Sequence, residues 1–324
     1  MNAGPLQTLR VTAKRVAAED VCELTLEPLP GMTLAPFEAG AHLELHLPGG
    51  LLRPYSLSND PAERHRYVLG VLREPASRGG SLAVHDRLEV GQTLQASPPR
   101  CHFPLQATPA HKLLLAGGIG ITPLLAMARQ LAREGGSFEL HYAARSNDRM
   151  AFTDVLTGSG PLAARTRLYA GDQGERIDLA EVIAAQAAGS ELYVCGPAGF
   201  MNAALQAARE QGWAESRLHR ELFGAEPVTH SGADRAFEIE IAGSGQIVSV
   251  PVGCTAAQAL QTAGLPLLTS CEQGVCGTCL TRVVSGEPDH RDQYLTPEEQ
   301  AANDQFLPCC SRARSTRLVI DLSV

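Results

Sequence analysis

The chain has 324 residues, enough for two or three domains of roughly 100 to 200 residues each. Hydrophobic residues make up 44% and charged residues 19%, an ordinary globular composition that argues against wholesale disorder. The formal net charge is −8, which is the wrong sign for a protein whose main partner is nucleic acid. An acidic surface instead suits a basic protein partner.

The chain carries no signal typical of membrane or secreted proteins. Residues 1–10 lack the apolar segment of a signal peptide, and glycines and a proline interrupt the longest apolar run, residues 113–128. Five of the nine cysteines fall between residues 271 and 310, unlike an evenly spread disulfide framework. We therefore predict a cytoplasmic protein without a membrane span, in which the clustered cysteines bind a metal.

The first third of the chain has the pattern of a small β-domain. Between residues 9 and 104, short alternating apolar runs are separated by turns, at residues 22–27, 42–47 and 67–72. Regular short strands punctuated by Pro and Gly predict an antiparallel barrel.

From residue 111 the pattern changes to alternating strands and helices. A strand at 112–116 runs into a glycine turn and then a helix at 123–132. Further strands are predicted at 138–143, 167–170 and 191–195, with helices at 179–188 and 200–210. This alternation predicts a doubly wound α/β domain.

A polar stretch at residues 225–235 reads as a linker to a third domain. That domain opens with a hairpin pattern, strands 237–241 and 247–250, followed by a helix at 255–263. The predicted organisation is a multi-domain α+β protein with no internal repeat. Its parts are a barrel at 1–106, an α/β domain at 107–224, the linker, and a third domain at 236–324.

Cys271, Cys276 and Cys279 form a C-x4-C-x2-C motif, and Cys309 follows after 29 further residues. This is the spacing of plant-type 2Fe-2S ferredoxins. The intervening residues are small and glycine-containing, as a loop that wraps a cluster closely requires. Structural zinc is the alternative, although zinc ligands usually come as two close knuckles. The spacing alone leaves open whether Cys309 or Cys310 is the fourth ligand.

Two motifs in the barrel region contain the parts of a phosphate site. Arg53-Pro54-Tyr55-Ser56 ends a predicted strand, and Arg78-Gly79-Gly80-Ser81 opens a predicted helix. An arginine and the free N–H groups of a helix start bind phosphate, and a tyrosine flanks a flavin ring well. Each motif alone is weak evidence, because an ordinary strand end and a glycine turn more often account for the same residues.

Two strand-to-helix turns in the α/β domain are candidate ligand-binding positions, although the first is not the strict G-x-G-x-x-G of dinucleotide sites and the second also fits an ordinary packed turn. The first contains Gly117, Gly118, Ile119, Gly120, Ile121 and Thr122, and the second contains Cys195, Gly196 and Pro197, with Met201 in the following helix. Ligands bind at such turns at the carboxyl ends of parallel strands. Arg145 could accept the 2′-phosphate of NADPH, whereas Asp172 could bind the ribose 2′-hydroxyl of NADH.

Together these residues resemble the phthalate dioxygenase reductase family, over nearly the whole chain. Beyond the motifs above, the resemblance includes Asn59-Asp60-Pro61, Phe223-Gly224 and Ser285-Gly286-Glu287 with Asp289-His290-Arg291-Asp292. The family implies an N-terminal FMN-binding β-barrel, a nicotinamide-binding α/β domain and a C-terminal β-grasp ferredoxin domain. It implies electron transfer from NADH through FMN and a 2Fe-2S cluster to a Rieske-type oxygenase.

The resemblance also assigns roles. Arg53, Arg78, Gly79, Gly80 and Ser81 would hold the FMN phosphate, and Tyr55 and Ser56 would lie along the flavin, with Ser56 near N5. The backbone of Gly70, Val71 and Leu72 would meet the pyrimidine edge, and Phe223 would cover a ring face. The turn from Gly117 to Thr122 would take the pyrophosphate, and Cys195, Gly196 and Pro197 would lie by the nicotinamide. Ser56 and Cys195 are thus the expected catalytic residues. Pro54 departs from the Thr or Gln of other members.

The resemblance favours Cys309 as the fourth cluster ligand and NADH over NADPH. We also expect a monomeric protein with no nucleic-acid or membrane partner. Two alternatives remain: an FAD-dependent reductase of another monooxygenase, and a non-redox sensor that binds a cluster. The flavin bound and the response to NADH would separate these alternatives.

Overall fold

The computed structural model describes residues 5–74, 77–224 and 234–322. The chain divides after Leu222 into two compact units. The predicted linker lies outside the described residues except for Asp234 and Arg235. The predicted boundary at residues 106/107 falls inside the first unit, between the end of one sheet and the start of the next.

The first sheet of this unit is an antiparallel barrel. Its strands are β1 (Gln7–Ala18), β2 (Val21–Pro28), β3 (Ala41–Leu47), β4 (Leu51–Ser56), β5 (Tyr67–Leu72), β6 (Thr93–Ala96) and β7 (Arg100–Cys101), with helix α1 (Gly80–Arg87) before β6. The strand order is β4-β3-β6-β1-β2-β5, with β7 paired to β3. A bridge between Leu57 and Leu69 joins the two outer strands. Alternating leucines of β3 fill the interior, as the sequence pattern predicted.

The second sheet of this unit is parallel, with helices packed against it. Its elements are β8 (Lys112–Gly117), α2 (Ile121–Glu134), β9 (Phe138–Ala144), α3 (Thr153–Thr157), β10 (Thr166–Ala170), α4 (Leu179–Ala184), β11 (Glu191–Cys195), α5 (Ala198–Glu210) and β12 (Leu218–Glu221). The strand order is β10-β9-β8-β11-β12. The order reverses direction between β8 and β11, which is the switch point where such sheets bind ligands.

One predicted helix in this sheet layer is too long. The helix expected at 179–188 ends at Ala184. The side-chain amide of Gln186 donates to the Val182 carbonyl, 2.9 Å away, which is the acceptor that the Gln186 backbone would use in a continuing helix. The backbone N–H of Gln186 bonds to Ile183 instead, which tightens the turn and ends the helix.

The second unit contains the third predicted domain. Its elements are β13 (Phe237–Ile241), β14 (Ile247–Val250), α6 (Ala256–Thr262), β15 (Thr281–Ser285), β16 (Pro288–Asp289), α7 (Pro297–Ala302), β17 (Gln305–Phe306), β18 (Arg312–Ala313) and β19 (Arg317–Asp321). The main sheet has the order β14-β13-β19-β15-β17, with β13 and β19 parallel. Helix α6 starts at a capping box formed by Thr255 and Gln258 and packs against this sheet. This is the predicted β-grasp arrangement.

No helix within the described part of the chain combines the length and the apolar character needed to cross a bilayer.

Candidate functional site

The predicted phosphate residues meet at the start of helix α1. Arg53 on β4 donates from Nη2 to the Arg78 carbonyl, 3.0 Å away, and its side chain packs against Gly80 closely enough that a Cβ there would collide with it. Gly79 takes a left-handed φ of 90° and leaves the helix start without a side-chain cap. Free N–H groups beside a guanidinium suit a phosphate, so the residues present fit the predicted group.

Serine hydroxyls fix the loop in front of this helix. Ser77 Oγ accepts from the Gly79 N–H, and Ser81 Oγ donates to Ser77 Oγ, both at 3.0 Å. Ser81 also accepts from the backbone of Glu74, 3.1 Å away. The predicted Ser81 therefore helps to shape the loop, and Ser77 is a contributor that the sequence motif did not include.

Ser56 lies beside a carboxyl group that the sequence did not reveal. Its Oγ donates to Oε2 of Glu221, 3.3 Å away, at the end of β12. Burial raises the pKa of Glu221 to about 8, although the hydrogen bond from Ser56 opposes the shift. At neutral pH the group is mostly protonated. No pattern in the sequence marked Glu221, because strand β12 has no clear alternation of apolar and polar residues.

The two predicted glycine turns pack against each other at the switch point. A Cβ on Gly120 would collide with the carbonyl of Cys195, and one on Gly196 would come within 2.8 Å of the Gly117 Cα. Gly118 has a left-handed φ of 54°. Helix α2 begins just after this turn without a side-chain cap, so its N–H groups suit a pyrophosphate.

The remaining residues of this set differ in accessibility. Cys195 is fully buried, and burial followed by the nearby Glu221 raises the pKa of its thiol well above the usual range. Met201 packs in a core cluster with Leu113 and Leu205. The Thr122 hydroxyl donates to the Ile119 carbonyl, 3.1 Å away. Cys195 therefore sits in this site as a neutral thiol.

Gly70 lies where the barrel meets the α/β layer. A Cβ there would approach the methyl group of Thr122 to 2.8 Å and the ring of Phe152 to 3.0 Å. The carbonyl of Val71 accepts from Nε2 of His85, 2.9 Å away. Leu72 is the last residue of β5. Burial raises the pKa of the Tyr55 hydroxyl, which therefore stays neutral.

Arg145 and Asp172 lie on adjacent loops, after β9 and β10. Both residues are exposed. Oδ1 of Asp172 accepts from the backbone N–H of Asn147, 3.1 Å away. This bond holds the carboxylate beside the loop that carries Arg145, so the two alternative determinants of nucleotide preference face the same edge of the sheet.

In the second unit the four predicted ligands form two pairs. Hydrogen-bond contact with Cys271, followed by burial, raises the pKa of Cys276, and contact with Cys309, followed by burial, raises the pKa of Cys279. Among the described residues no group of three or more potential ligands is arranged around a single metal ion. Two thiol pairs match the two irons of a 2Fe-2S cluster.

The loop around these cysteines is built for a close fit. The Gln273 N–H donates to Sγ of Cys271 at 3.4 Å, a contact that suits a thiolate ligand. Gly274 and Gly277 both have a left-handed φ of 72°. A Cβ on Gly274 would collide with Cys310, and one on Gly277 would collide with Tyr294.

Cys310 has a different environment from the paired thiols. It is buried, and its Sγ lies 3.7 Å from both the Leu307 carbonyl and the Ser311 hydroxyl. The thiol of Cys309 instead contacts Cys279. The geometry thus favours Cys309 as the fourth ligand and Cys310 as a packing residue behind Gly274.

Phe223 belongs to the second unit, where its side chain is 42% exposed. The neighbouring Gly224 leaves room for Gln273 of the cluster loop, whose Oε1 would come within 2.8 Å of a Cβ at this position.

A ferredoxin-type cysteine loop thus shares a chain with a barrel and a parallel sheet whose helix starts are open to phosphates. This combination defines the class of flavin- and nicotinamide-dependent iron–sulfur oxidoreductases. Comparisons with known proteins agree. Residues 239–314 match the 2Fe-2S iron–sulfur cluster binding domain, and residues 92–218 match the N-terminal domain of dimethylamine monooxygenase subunit DmmA-like proteins.

The chain is 52% identical to a vanillate O-demethylase oxidoreductase from a Pseudomonas species, over 96% of this chain and 98% of that protein. It is 37% identical to phthalate dioxygenase reductase, with a TM-score of 0.76 and coverage of 98% of both chains. An intact self-sufficient cytochrome P450 monooxygenase is also 37% identical, with a TM-score of 0.83, over 97% of this chain and 41% of that one.

The chain belongs to the phthalate dioxygenase reductase family. It is an NADH-dependent oxidoreductase with FMN and a 2Fe-2S cluster as its cofactors, and it passes electrons to an oxygenase.

Proposed function

We propose that the oxygenase served by this reductase is of the Rieske type and acts as a demethylase or dioxygenase on an aromatic compound. The observation that carries the proposal is the 52% identity to a vanillate O-demethylase oxidoreductase over almost the full length of both proteins. The two cysteine pairs support it, because a 2Fe-2S cluster passes one electron at a time, as a Rieske centre accepts them.

A bound FMN would supply the conversion of the two-electron hydride of NADH into single electrons for the cluster. We propose that Arg53, Arg78, Gly79, Gly80 and Ser81 hold the phosphate of FMN. Tyr55, Ser56, the backbone of residues 70–72 and Phe223 are proposed to contact its ring. Cys271, Cys276, Cys279 and Cys309 are proposed to hold the cluster.

Glu221 is the residue that we propose as a proton donor and acceptor at this site. With a pKa near 8 the carboxyl is mostly protonated at neutral pH, and it lies 3.3 Å from the hydroxyl of Ser56. A group with a pKa close to the working pH is suited to give and take protons. We propose that the Glu221 carboxyl holds a proton and exchanges it with Oγ of Ser56, the hydroxyl that the resemblance places near N5 of the flavin.

For the nucleotide, the turn from Gly117 to Thr122 is proposed to take the pyrophosphate, and Cys195 to Pro197 to border the nicotinamide, with Met201 behind them. The Asp172 carboxylate, held by Asn147, supports NADH over NADPH, because it would repel a 2′-phosphate. The division into domains at 1–106, 107–224 and 236–324, a monomeric state and a cytoplasmic location are part of the same proposal.

A second candidate partner is a haem monooxygenase. The specific observation is that the fold of this chain recurs, with a TM-score of 0.83, inside a self-sufficient cytochrome P450 monooxygenase. The Rieske partner is favoured because the vanillate O-demethylase relative matches this chain over 98% of its own length, whereas the match covers only 41% of the P450 chain.

The test combines spectroscopy with electron transfer. Visible spectra of the purified protein are recorded during anaerobic titration with NADH and with NADPH, and the bound flavin is identified by chromatography. The reduced protein is then mixed with a Rieske-type aromatic oxygenase and, separately, with a cytochrome P450. Bleaching by NADH followed by reduction of the Rieske protein alone is expected. Transfer to the P450 alone would overturn the proposed partner.

A further inference from the structure

Helix α1, whose start forms the proposed phosphate site, is short and has few bonds of its own. It spans eight residues, Gly80–Arg87. Helices of two turns are marginal without outside support, and the last four carbonyl groups of any helix lack partners within it. The position of this phosphate site therefore depends on whatever holds the far end of the helix.

That end is held by one lysine from the barrel. Nζ of Lys14 on β1 donates to the carbonyls of Val84, His85 and Leu88, at 2.9, 2.6 and 2.9 Å. An ammonium group has three protons to donate, and the three carbonyls use all of them. A cation at a helix C-terminus also interacts favourably with the helix dipole.

The helix is thus fastened from both ends. At its start, Arg53 packs against Gly80 and bonds to the Arg78 carbonyl. In its last turn, His85 bonds to Val71 of β5. Lys14 lies at the opposite end of the helix from the phosphate site.

We propose that Lys14 is a positioning residue for the flavin phosphate, acting through helix α1. It fixes the end of the helix against β1, and this keeps the N–H groups at the other end aimed at the phosphate beside Arg53. The inference rests on the proposed flavin site and adds to it a residue outside every motif of that site.

FMN and riboflavin separate this role from a general effect on stability, because they share the ring and differ by the phosphate. In full-length protein freed of flavin, Lys14→Met should weaken FMN binding about tenfold, in line with the loss of charge-assisted hydrogen bonds. Riboflavin binding should stay within about twofold of wild type. Fluorescence quenching of each flavin measures both affinities.

Arg87→Met is the matched control, because it removes a positive charge from the same end of the helix. Arg87 is exposed, and no hydrogen bond of its side chain is found within the described residues. This variant should bind both flavins as wild type does. Hydrogen exchange should show faster exchange in α1 of Lys14→Met alone.

Equal losses for FMN and riboflavin in Lys14→Met, or an unchanged FMN affinity, would overturn the role of Lys14. If the wild-type protein itself bound FMN no better than riboflavin, the proposed phosphate site would be at fault instead.

Discussion

At the scale of single residues, the proposed ligand role of Cys309 rests on its contact with Cys279. The spacing of the cysteines alone left Cys309 and Cys310 equal, because adjacent residues satisfy the same motif. The fold separates them: one thiol completes a pair, and the other packs behind Gly274.

Cys309→Ser should therefore lose most of the cluster, because one iron is left with a single thiolate. Cys310→Ser should retain it. Iron and acid-labile sulfide in the purified variants give the answer. A cluster that survives in Cys309→Ser and disappears in Cys310→Ser would reverse the assignment.

Arg53 is expected to pair with the phosphate of FMN. A charge-assisted contact contributes about 1.5 to 3 kcal/mol, so Arg53→Ala should weaken FMN binding by roughly tenfold or more. Iron content should not change, which makes it the internal control. Dilution of the flavin-loaded variant, followed by fluorescence, measures the release. Retention equal to wild type would remove Arg53 from the site.

Glu221 makes stability depend on pH in a direction that is opposite to that of most carboxyl groups. Its pKa of about 8 in the folded protein lies above its ordinary value of 4.5, so the folded state holds a proton that the unfolded chain releases between these values. Stability from this group therefore falls as pH rises from 4.5 to 8. Relative to wild type, Glu221→Gln should gain about 4 kcal/mol between pH 5 and pH 9.

Denaturant unfolding at several pH values tests this prediction, with the exposed Glu210→Gln as the control. A difference between Glu221→Gln and wild type that does not change with pH would contradict it. Glu221 could not be predicted from the sequence, because only the folded chain brings its carboxyl group next to Ser56.

At the scale of elements, apolar patterns located most strands closely. The strands predicted at 191–195 and 237–241 match β11 and β13. Short runs of continuous or alternating apolar residues are typical of buried or half-buried strands. Strand β12 was missed because its sequence, Leu-His-Arg-Glu, has no apolar period. Its position depends on pairing with β11, a contact that is distant in sequence.

Strands β8 and β11 are also joined by a buried ion pair at their first residues. Nζ of Lys112, only 1% exposed, lies 2.7 Å from Oε2 of Glu191. Thr108 and Tyr193 donate further hydrogen bonds to the same carboxylate. Such a pair is costly to break from one side, because the remaining charge stays buried without its partner.

Lys112→Met should therefore lower the free energy of unfolding by about 3 kcal/mol. The double variant Lys112→Met/Glu191→Leu should recover much of this loss, because it removes both charges. Urea denaturation of the two variants and wild type provides the comparison. A double variant less stable than Lys112→Met would show that the carboxylate is supported mainly by its hydroxyl neighbours.

At the scale of the whole molecule, the order of the modules was readable from sequence because each carries a local signature. The arginine and glycine motifs, the glycine turns and the cysteine loop follow one another in that order along the chain, whereas electrons pass from NADH to FMN and then to the cluster. What composition adds is the charge of the last module: residues 235–324 contain 6 basic and 10 acidic residues, a net charge of −4. An acidic module that delivers electrons should attract a basic surface on its partner.

If hydride transfer belongs to the first unit and electron delivery to the second, a chain ending at residue 225 should bind FMN and be reduced by NADH but fail to reduce the oxygenase. The shortened chain should fold on its own, because residues 4–222 form one compact unit.

In the full-length protein, transfer to the oxygenase should slow as salt rises, because a screening length of about 10 Å at 0.1 M weakens long-range attraction. Reduction of FMN by NADH in the shortened chain should respond less to salt. Stopped-flow absorbance at several ionic strengths measures both steps. Oxygenase turnover by the shortened chain at the full-length rate would mean that the cluster is dispensable, and it would refute this division of labour.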